Sequence, residues 1–498
     1  LDKAARKTQR EYANRAALNY YDQALALEER WEWLRGKTEV LHVLGWRKDE
    51  RAALSRLEGA SDAPVFDVAY RWGQYHESVS AYAEAQDAVE RAMGTCREEG
   101  DVASQARCLI QLGLIARRLG DFDRAKACCD EGLALFRGRA ALADEETRAL
   151  SQALNGLGIV HREQGRFEQA RECHNRALRL SRERDDRVGE ARALNNLGVS
   201  AYYQRDFASA VSFHEQALEI RRTIGDRAGE GTSLFNLALT VRDAGDYGQA
   251  QDYFSEALAV QQATENRWEE VNVWNSLGSL YLLLGDLTIA ETCLGQGLEL
   301  SREIGDEAAQ LYILGNLGLV VRDQGDLAAA ERLFNDGLEL AQAREVEYLV
   351  SLFLSHLGTV SLLAGKPDQA LGRAEQALAL RSELGLRLWA TADLTTLAAA
   401  CLALGSTDQA LDYANQAVII LDECDGQGPE YPQRDYFVCY QVLAAAGQEV
   451  AAEAALASAY NLIMIQAGKI IDLNLRQTFL ERVAINQEIV REFRKHTS

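Results

Sequence analysis

A Leu-Gly or Leu-Ala step recurs along this chain at Gly113, Gly158, Gly198, Ala238, Gly278, Gly318, Gly358 and Ala398. After one interval of 45 residues every later interval is 40. A fixed period of that length means stacked supersecondary units, because one unit cannot bury its apolar face alone and neighbours must bury it together. Seven residues after each step comes a turn residue, at Gly120, Gly165, Arg205, Gly245, Gly285, Gly325, Gly365 and Gly405. Five residues further stands an alanine, from Ala125 and Ala170 through Ala210, Ala250, Ala290, Ala330 and Ala370 to Ala410. Another small residue follows seven positions on, at Gly132, Ala177, Ala217, Ala257, Gly297, Gly337, Ala377 and Ala417. Small residues are needed where two helices cross closely, since a larger side chain there overpacks the contact.

The unit is helical. Only four prolines interrupt the chain, while Ala, Leu, Glu, Gln and Arg dominate it, and these are the strong helix formers. Long Val/Ile/Thr alternations of the kind that mark strands are missing. At 498 residues the chain is also too long for one globular core, which again favours an extended array.

The stretch "WNSLGSLY", Trp274 to Tyr281, matches the W-x2-L-G-x2-Y opening of a tetratricopeptide repeat, and the A-x3-F of the second helix stands at Ala250–Phe254 and Ala330–Phe334. Elsewhere Leu, Cys or His replaces the aromatic residue. The period of 40 exceeds the roughly 34 usual in the family and resembles the lengthened repeats of kinesin light chains, spindle-orientation adaptors and bacterial regulators. The resemblance implies an all-α, right-handed superhelical solenoid of about twelve antiparallel hairpins with a C-terminal capping helix. Three regions are expected: shorter or irregular hairpins over 1–65, the regular array over 66–421, and a loop, last hairpin and capping helix over 422–498. The capping helix is read from "LRQTFLERVAINQEIVREF".

In this resemblance the first helix of each hairpin lines a concave groove. With Leu234, Leu237, Ala238 and Val241 as core stripe, a turn of about 100° per residue puts Asn236, Leu239, Arg242 and Asp243 on the flank or opposite side. The position of Arg242 is held by Arg117, Arg162 and Arg322 in other repeats, alternating with Tyr202, Leu282, Leu362 and Leu402. Six residues earlier stand Asn196, Asn236 and Asn316, and one before that Asn155, Asn195 and Asn275. Asparagine amides bind a peptide backbone through donor and acceptor, and guanidinium clamps a carboxylate bidentately. Two readings stand open: a groove for an extended or helical segment bearing acidic groups, or arginines that pair with carboxylates of neighbouring repeats. From Leu282 onward the lining turns apolar, with Leu283, Leu362, Leu363 and Leu402.

Other chemistry finds little support. "RGKT", Arg35 to Thr38, lacks the upstream glycine and strand of a phosphate-binding loop. His174 and His214 occupy equivalent repeat positions where Phe254 and Phe334 stand, which favours packed, hydrogen-bonded imidazoles over metal ligands. Nine cysteines form no CxxC pair and suit a reducing cytoplasm. A formal charge of −22 without a Lys/Arg tract argues against nucleic acid, and no apolar run approaches a membrane span of roughly 20 residues. No catalytic set, cofactor or metal is expected. The irregular "DECDGQGPEYPQRDYF", Asp422 to Phe437, breaks the array; its Tyr431 and Tyr436 offer a partner contact, or the loop simply lets the cap turn.

Leu1 falls inside what the register makes the first helix of a hairpin, so the chain is expected to start partway through a repeat. Its two ends resemble the tetratricopeptide tails of bacterial signalling proteins in which an ATPase module precedes the repeats. That resemblance implies a non-enzymatic, cytoplasmic sensing or autoinhibitory arm whose partner is a protein or peptide segment. The alternatives are a free-standing scaffold that bridges two proteins, or a small-molecule-binding regulatory domain.

Overall fold

The computed structural model describes residues 1–10, 14–44, 46–79, 81–137, 142–264, 266–424, 426 and 428–497. Among these residues the only regular structure is helical. In chain order the helices are α1 (Asp2–Arg10), α2 (Asn14–Leu25), α3 (Trp31–Leu44), α4 (Arg47–Gly59), α5 (Val65–Ser78), α6 (Tyr82–Glu99), α7 (Val102–Arg118), α8 (Phe122–Ala134), α9 (Asp144–Glu163), α10 (Phe167–Glu183), α11 (Arg187–Tyr203), α12 (Phe207–Ile224) and α13 (Arg227–Ala244). They continue as α14 (Tyr247–Ala263), α15 (Arg267–Leu284), α16 (Leu287–Ile304), α17 (Glu307–Asp323), α18 (Leu327–Ala343), α19 (Glu347–Leu363), α20 (Pro367–Glu383), α21 (Ala390–Ala403), α22 (Thr407–Glu423), α23 (Pro432–Ala445), α24 (Glu449–Lys469), α25 (Leu473–Glu481) and α26 (Ala484–Thr497).

Two compact units divide the chain inside the regular array, one of Leu1–Asp243 with Ser255–Arg267, the other of Ala244–Phe254 with Trp268–Ser498. In the first unit consecutive helices pack as hairpins from α1 and α2 to α11 and α12, and each hairpin packs on the next. In the second unit the same holds from α17 and α18 to α23 and α24. The segment read as one capping helix is two, α25 and α26, broken at Arg482–Val483. The break is held by the Asn486 amide, which donates to the Phe479 carbonyl at 3.1 Å, and it sets the Arg482–Val483 backbone against the turn glycine Gly285.

The turns explain the recurring Gly-Asp pairs. The turn residue adopts a left-handed conformation, with φ of 80° at Gly120, 92° at Gly325 and 61° at Arg205, the one non-glycine in that set. This ends the first helix, and the next residue starts the second: Asp121, Asp206, Asp286 and Asp326 each accept the backbone N–H three residues on, at 2.9–3.3 Å. The array alanines from Ala125 to Ala410 are wholly buried.

At the Leu-Gly step, the glycine of the first helix faces the side chain that the second helix sends across. A Cβ on Gly158 would collide with His174, on Gly198 with His214, on Gly278 with Leu294 and on Gly318 with Phe334. Gly337, the later small residue, meets the Phe353 ring of the following first helix in the same way. The tight approach inferred from the sequence is therefore made within hairpins and between them. Arg35–Thr38 lies inside α3, with Gly36 against the Tyr21 ring.

α24 spans 21 residues and contains an 18-residue window of mean hydropathy 1.3, long and apolar enough by that measure to cross a membrane. It packs on α23, α25 and α26 and buries Ala452, Ala455, Leu456, Ala459, Ile463 and Ala467.

Gly318→Ala is expected to destabilise the protein by about 1–3 kcal/mol, because the methyl group overpacks against the buried Phe334 ring. Gly295→Ala, where nothing lies within 4 Å of the added carbon, is expected to be neutral or to stabilise by about 0.5–1 kcal/mol. Thermal melts of the two variants check the contrast.

Candidate functional site

The asparagines expected in the groove form hydrogen bonds between repeats. Asn155 and Asn195 are buried, at 3% and 8% exposure. The Asn155 Oδ1 accepts from His174 Nδ1 at 3.1 Å and from Asn196 Nδ2 at 3.4 Å. One repeat on, the Asn195 Oδ1 accepts from His214 Nδ1 at 3.2 Å and from Asn236 Nδ2 at 3.0 Å. In the second unit Asn316 Nδ2 donates to Asn275 Oδ1 at 2.9 Å. The amides thus make three rungs, which tie α9 to α11, α11 to α13 and α15 to α17. Asn155 and Asn195 are nearly buried in these bonds, Asn155 also lining a cleft between α9 and α11, while Asn196, Asn236, Asn275 and Asn316 are half-buried.

The arginines lie nearer the surface and spend part of their capacity on neighbouring acids. Arg117 Nη1 donates to Glu163 Oε1 at 2.9 Å, across from one repeat to the next. Arg162 Nη2 lies 3.6 Å from the same oxygen, and its guanidinium sits 5.6 Å from the centre of the Tyr203 ring. Arg242 Nε donates to Asp243 Oδ1 at 2.8 Å, and Tyr202 Oη donates to the other oxygen of Asp243 at 2.5 Å. Burial, then the bond to Asp243, pushes the Tyr202 phenol up. In the second unit Arg322 pairs with Asp323 at 2.7 Å through Nε. The ion-pairing account of the arginines therefore describes the resting chain. It leaves capacity unused: Arg117 Nε, Arg162 Nε and Arg322 Nη1 are buried without a hydrogen-bond partner among the described residues.

A cleft that the repeat register did not single out opens in the first unit. About 330 Å³ in volume, it is lined by Arg148, Ser151, Gln152 and Asn155 of α9 and by Asp186, Val188, Gly189 and Arg192 around the start of α11. Arg192 is exposed, and Arg148 is 62% exposed, 3.9 Å from the Asp186 carboxylate. Farther along the two helices stand Arg162 and Tyr203. The face is cationic in a chain of net charge −22.

In the second unit the corresponding face is covered. Leu319, His356 and Thr359 are buried at 2%, 6% and 4% exposure, whereas the same repeat places in the first unit, Val199, Asn196 and Leu239, remain partly exposed. The covering chain is the irregular segment before α23: Tyr431 packs against the hydrophobic cluster that contains Phe334 and Phe353.

No group of three or more metal-ligating side chains occurs among the described residues. His174 and His214 are 0% and 1% exposed, and burial pushes each imidazole down from 6.5 to about 3. Each is therefore a neutral Nδ1–H donor to asparagine. Between these values the unfolded chain binds protons that the native chain refuses, so stability rises with pH there. The contribution is intact above about pH 6.5 and is lost on acidification toward about 3, at roughly 1.4 kcal/mol per pH unit per ring. Calorimetry at pH 7, 5.5 and 4 is expected to show that loss. The double variant His174→Phe/His214→Phe, which copies the Phe334 arrangement, is expected to flatten it; a parallel decline in the variant would assign the acid sensitivity elsewhere.

Two tetratricopeptide repeat family models match the chain, one over residues 149–223, 216–263, 269–343 and 349–423, the other over 106–137. No curated protein sequence matches it. Among solved structures, the chain is similar to a signal transduction ATPase with numerous domains that carries a tetratricopeptide repeat sensor, from Pyrococcus horikoshii. Identity is 15% and the TM-score 0.50, over 66% of this chain and about half, 52%, of that one. A Rap protein complexed with competence and sporulation factor aligns at 12% identity and a TM-score of 0.48, over 71% of this chain and 98% of that one. BtubC from P. vanneervenii aligns at 20% identity and a TM-score of 0.37, over 46% and 91% of the two chains. At such identities these likenesses concern the fold alone. With the repeat models covering more than half its length and the glycine-to-ring contacts repeated at their period, the chain belongs to the tetratricopeptide repeat family.

Proposed function

We propose that this chain is a non-enzymatic protein-binding solenoid, and that the face of α9 and α11 in its first unit holds an acidic protein segment. The observation that carries the reading is the cationic cleft between those helices. Arg148 and Arg192 flank its opening, and Arg162 beyond it keeps a buried Nε–H without a partner. Guanidinium forks bind carboxylates bidentately and geometrically, and an acidic protein that concentrates them on one face steers an acidic segment there rather than to the rest of its surface. Tyr203, stacked beneath the Arg162 guanidinium, adds a flat apolar surface beside the charge.

A place for these repeats in a larger signalling protein is the finer part of the proposal. The similar Pyrococcus horikoshii chain is described as a signal transduction ATPase whose repeats are its sensor, and the sequence resemblance of both ends pointed the same way. In such an arrangement the segment held by the repeats controls a switch module elsewhere in the polypeptide. Peptide mapping of the native protein upstream of Leu1 tests this: a nucleotide-binding module there supports the sensing arm, and its absence supports the free-standing scaffold.

The binding reading is tested with fluorescent Glu/Asp-rich peptides in extended conformation, titrated by anisotropy at low and moderate salt. Binding is expected to weaken with salt, and Arg148→Glu/Arg192→Glu is expected to lower affinity at least about tenfold, since each charged hydrogen bond is worth roughly 1.5–3 kcal/mol. Circular dichroism should be unchanged, because both side chains are exposed. Affinity that is the same in the double variant would sink the proposed face.

A further inference from the structure

Between α22 and α23 the chain leaves helical structure at Cys424 and re-enters it at Pro432. Its base is tied by Tyr436 Oη, which donates to Asp422 Oδ1 at 2.6 Å. Its far end is tied by Asp435, whose carboxylate accepts from Thr391 Oγ1 at 2.7 Å and Thr395 Oγ1 at 3.5 Å, both on α21. In between, the backbone is laid close on its neighbours: a Cβ on Gly428 would come within 2.8 Å of Leu388, and one on Gly426 within 2.9 Å of Leu462. Glu430 and Tyr431 reach the face of the first helices, Glu430 Oε2 lying 4.0 Å from His356 Nε2 and Tyr431 on the Phe334–Phe353 cluster. Running as a bent Gly-Pro-Glu-Tyr stretch into the first turn of α23, the segment lies against first-helix side chains where a short peptide could sit.

It sits there imperfectly. The Arg322 side chain is only 9% exposed, yet its Nη1 has no hydrogen-bond partner among the described residues, and neither has Arg381 Nε. Glu430 reaches neither donor and keeps 35% of its side chain in solvent. Arg434 carries a second positive charge into the same place, and burial together with Arg322 pushes its guanidinium down. A ligand with a carboxylate free to reach Arg322, and without the arginine, would satisfy what this segment leaves unsatisfied.

We infer that the face of α17, α19 and α21 is a second peptide site, held in the resting chain by its own Gly428–Arg434 segment. Its ligand is a short peptide carrying a carboxylate beside an aromatic ring, which displaces that segment. The inference concerns the second unit only, so it stands or falls independently of the acidic segment proposed for α9 and α11. The segment is tethered and therefore always at high local concentration, and it taxes any ligand by the fraction of time the site stands open.

The test uses a fluorescent synthetic peptide copying Gly428–Gln433, which ends before Arg434, titrated into the full chain by anisotropy. Weakening the internal segment with Glu430→Gln/Tyr431→Ala is expected to tighten peptide binding about tenfold or more, and adding Arg322→Gln is expected to abolish it. Absence of binding to the helical double variant would overturn the inference and make the segment plain structure. Should that variant lose its helicity, the unmodified chain decides. Excess peptide is expected to speed amide hydrogen exchange at Tyr431 and Gly428, and unchanged exchange would overturn the inference as well.

Discussion

In four hairpins of the array the distance between the two helices is set where a glycine of the first meets one side chain of the second. With Gly158, Gly198, Gly278 and Gly318 carrying no Cβ, the rings of His174, His214 and Phe334 and the branched end of Leu294 lie directly on helix backbone. Beside that contact lie the wholly buried alanines, and at its end the left-handed turn and the aspartate cap. The filling of the socket varies, and its surroundings vary with it. Where the filler is histidine, Asn155 or Asn195 stands ready to accept its Nδ1–H; where it is Phe334, Gly315 occupies the asparagine's place. A buried imidazole without that acceptor would lose a hydrogen bond in a medium that offers no water in return.

The polar residues of the first helices divide between two duties that differ by one step of the helix. The inner asparagine belongs to the core and to the neighbouring repeat's amide. The arginine near the helix end belongs to the edge, where an acid of its own or the next repeat holds it while some of its donors stay unused. The two units then use the same face in different ways: one leaves a cationic cleft open to solvent, and the other lays its own Pro-Glu-Tyr-Pro segment over it. An apolar lining such as Leu319 invites cover in a way that Arg148 and Arg192 do not, which agrees with the shift toward leucine from Leu282 onward.

Much of this was legible beforehand. The period, the turn positions, the small residues and the packed state of His174 and His214 follow from recurrence alone, because packing demands the same residue at the same place in each unit. Recurrence did not separate the duties of Asn155 and Asn195, which the structure ties into hydrogen bonds between repeats, because one position, about 100° of helix, separates the core from the face. Arg148 and Arg192 escaped notice because they do not recur, as befits side chains whose neighbours vary from repeat to repeat. The long apolar α24 and the break at Arg482–Val483 were also missed, since both answer to contacts with distant chain.

By itself, then, the sequence determined the repeat and its helices, because those rest on contacts within about 40 residues that every unit must make alike. Only the tertiary structure decided which side chains face the groove, which arginine donors remain unspent, and that the segment before α23 returns to cover α17, α19 and α21. Those outcomes depend on residues brought together from far apart in the chain, and no periodic pattern records them.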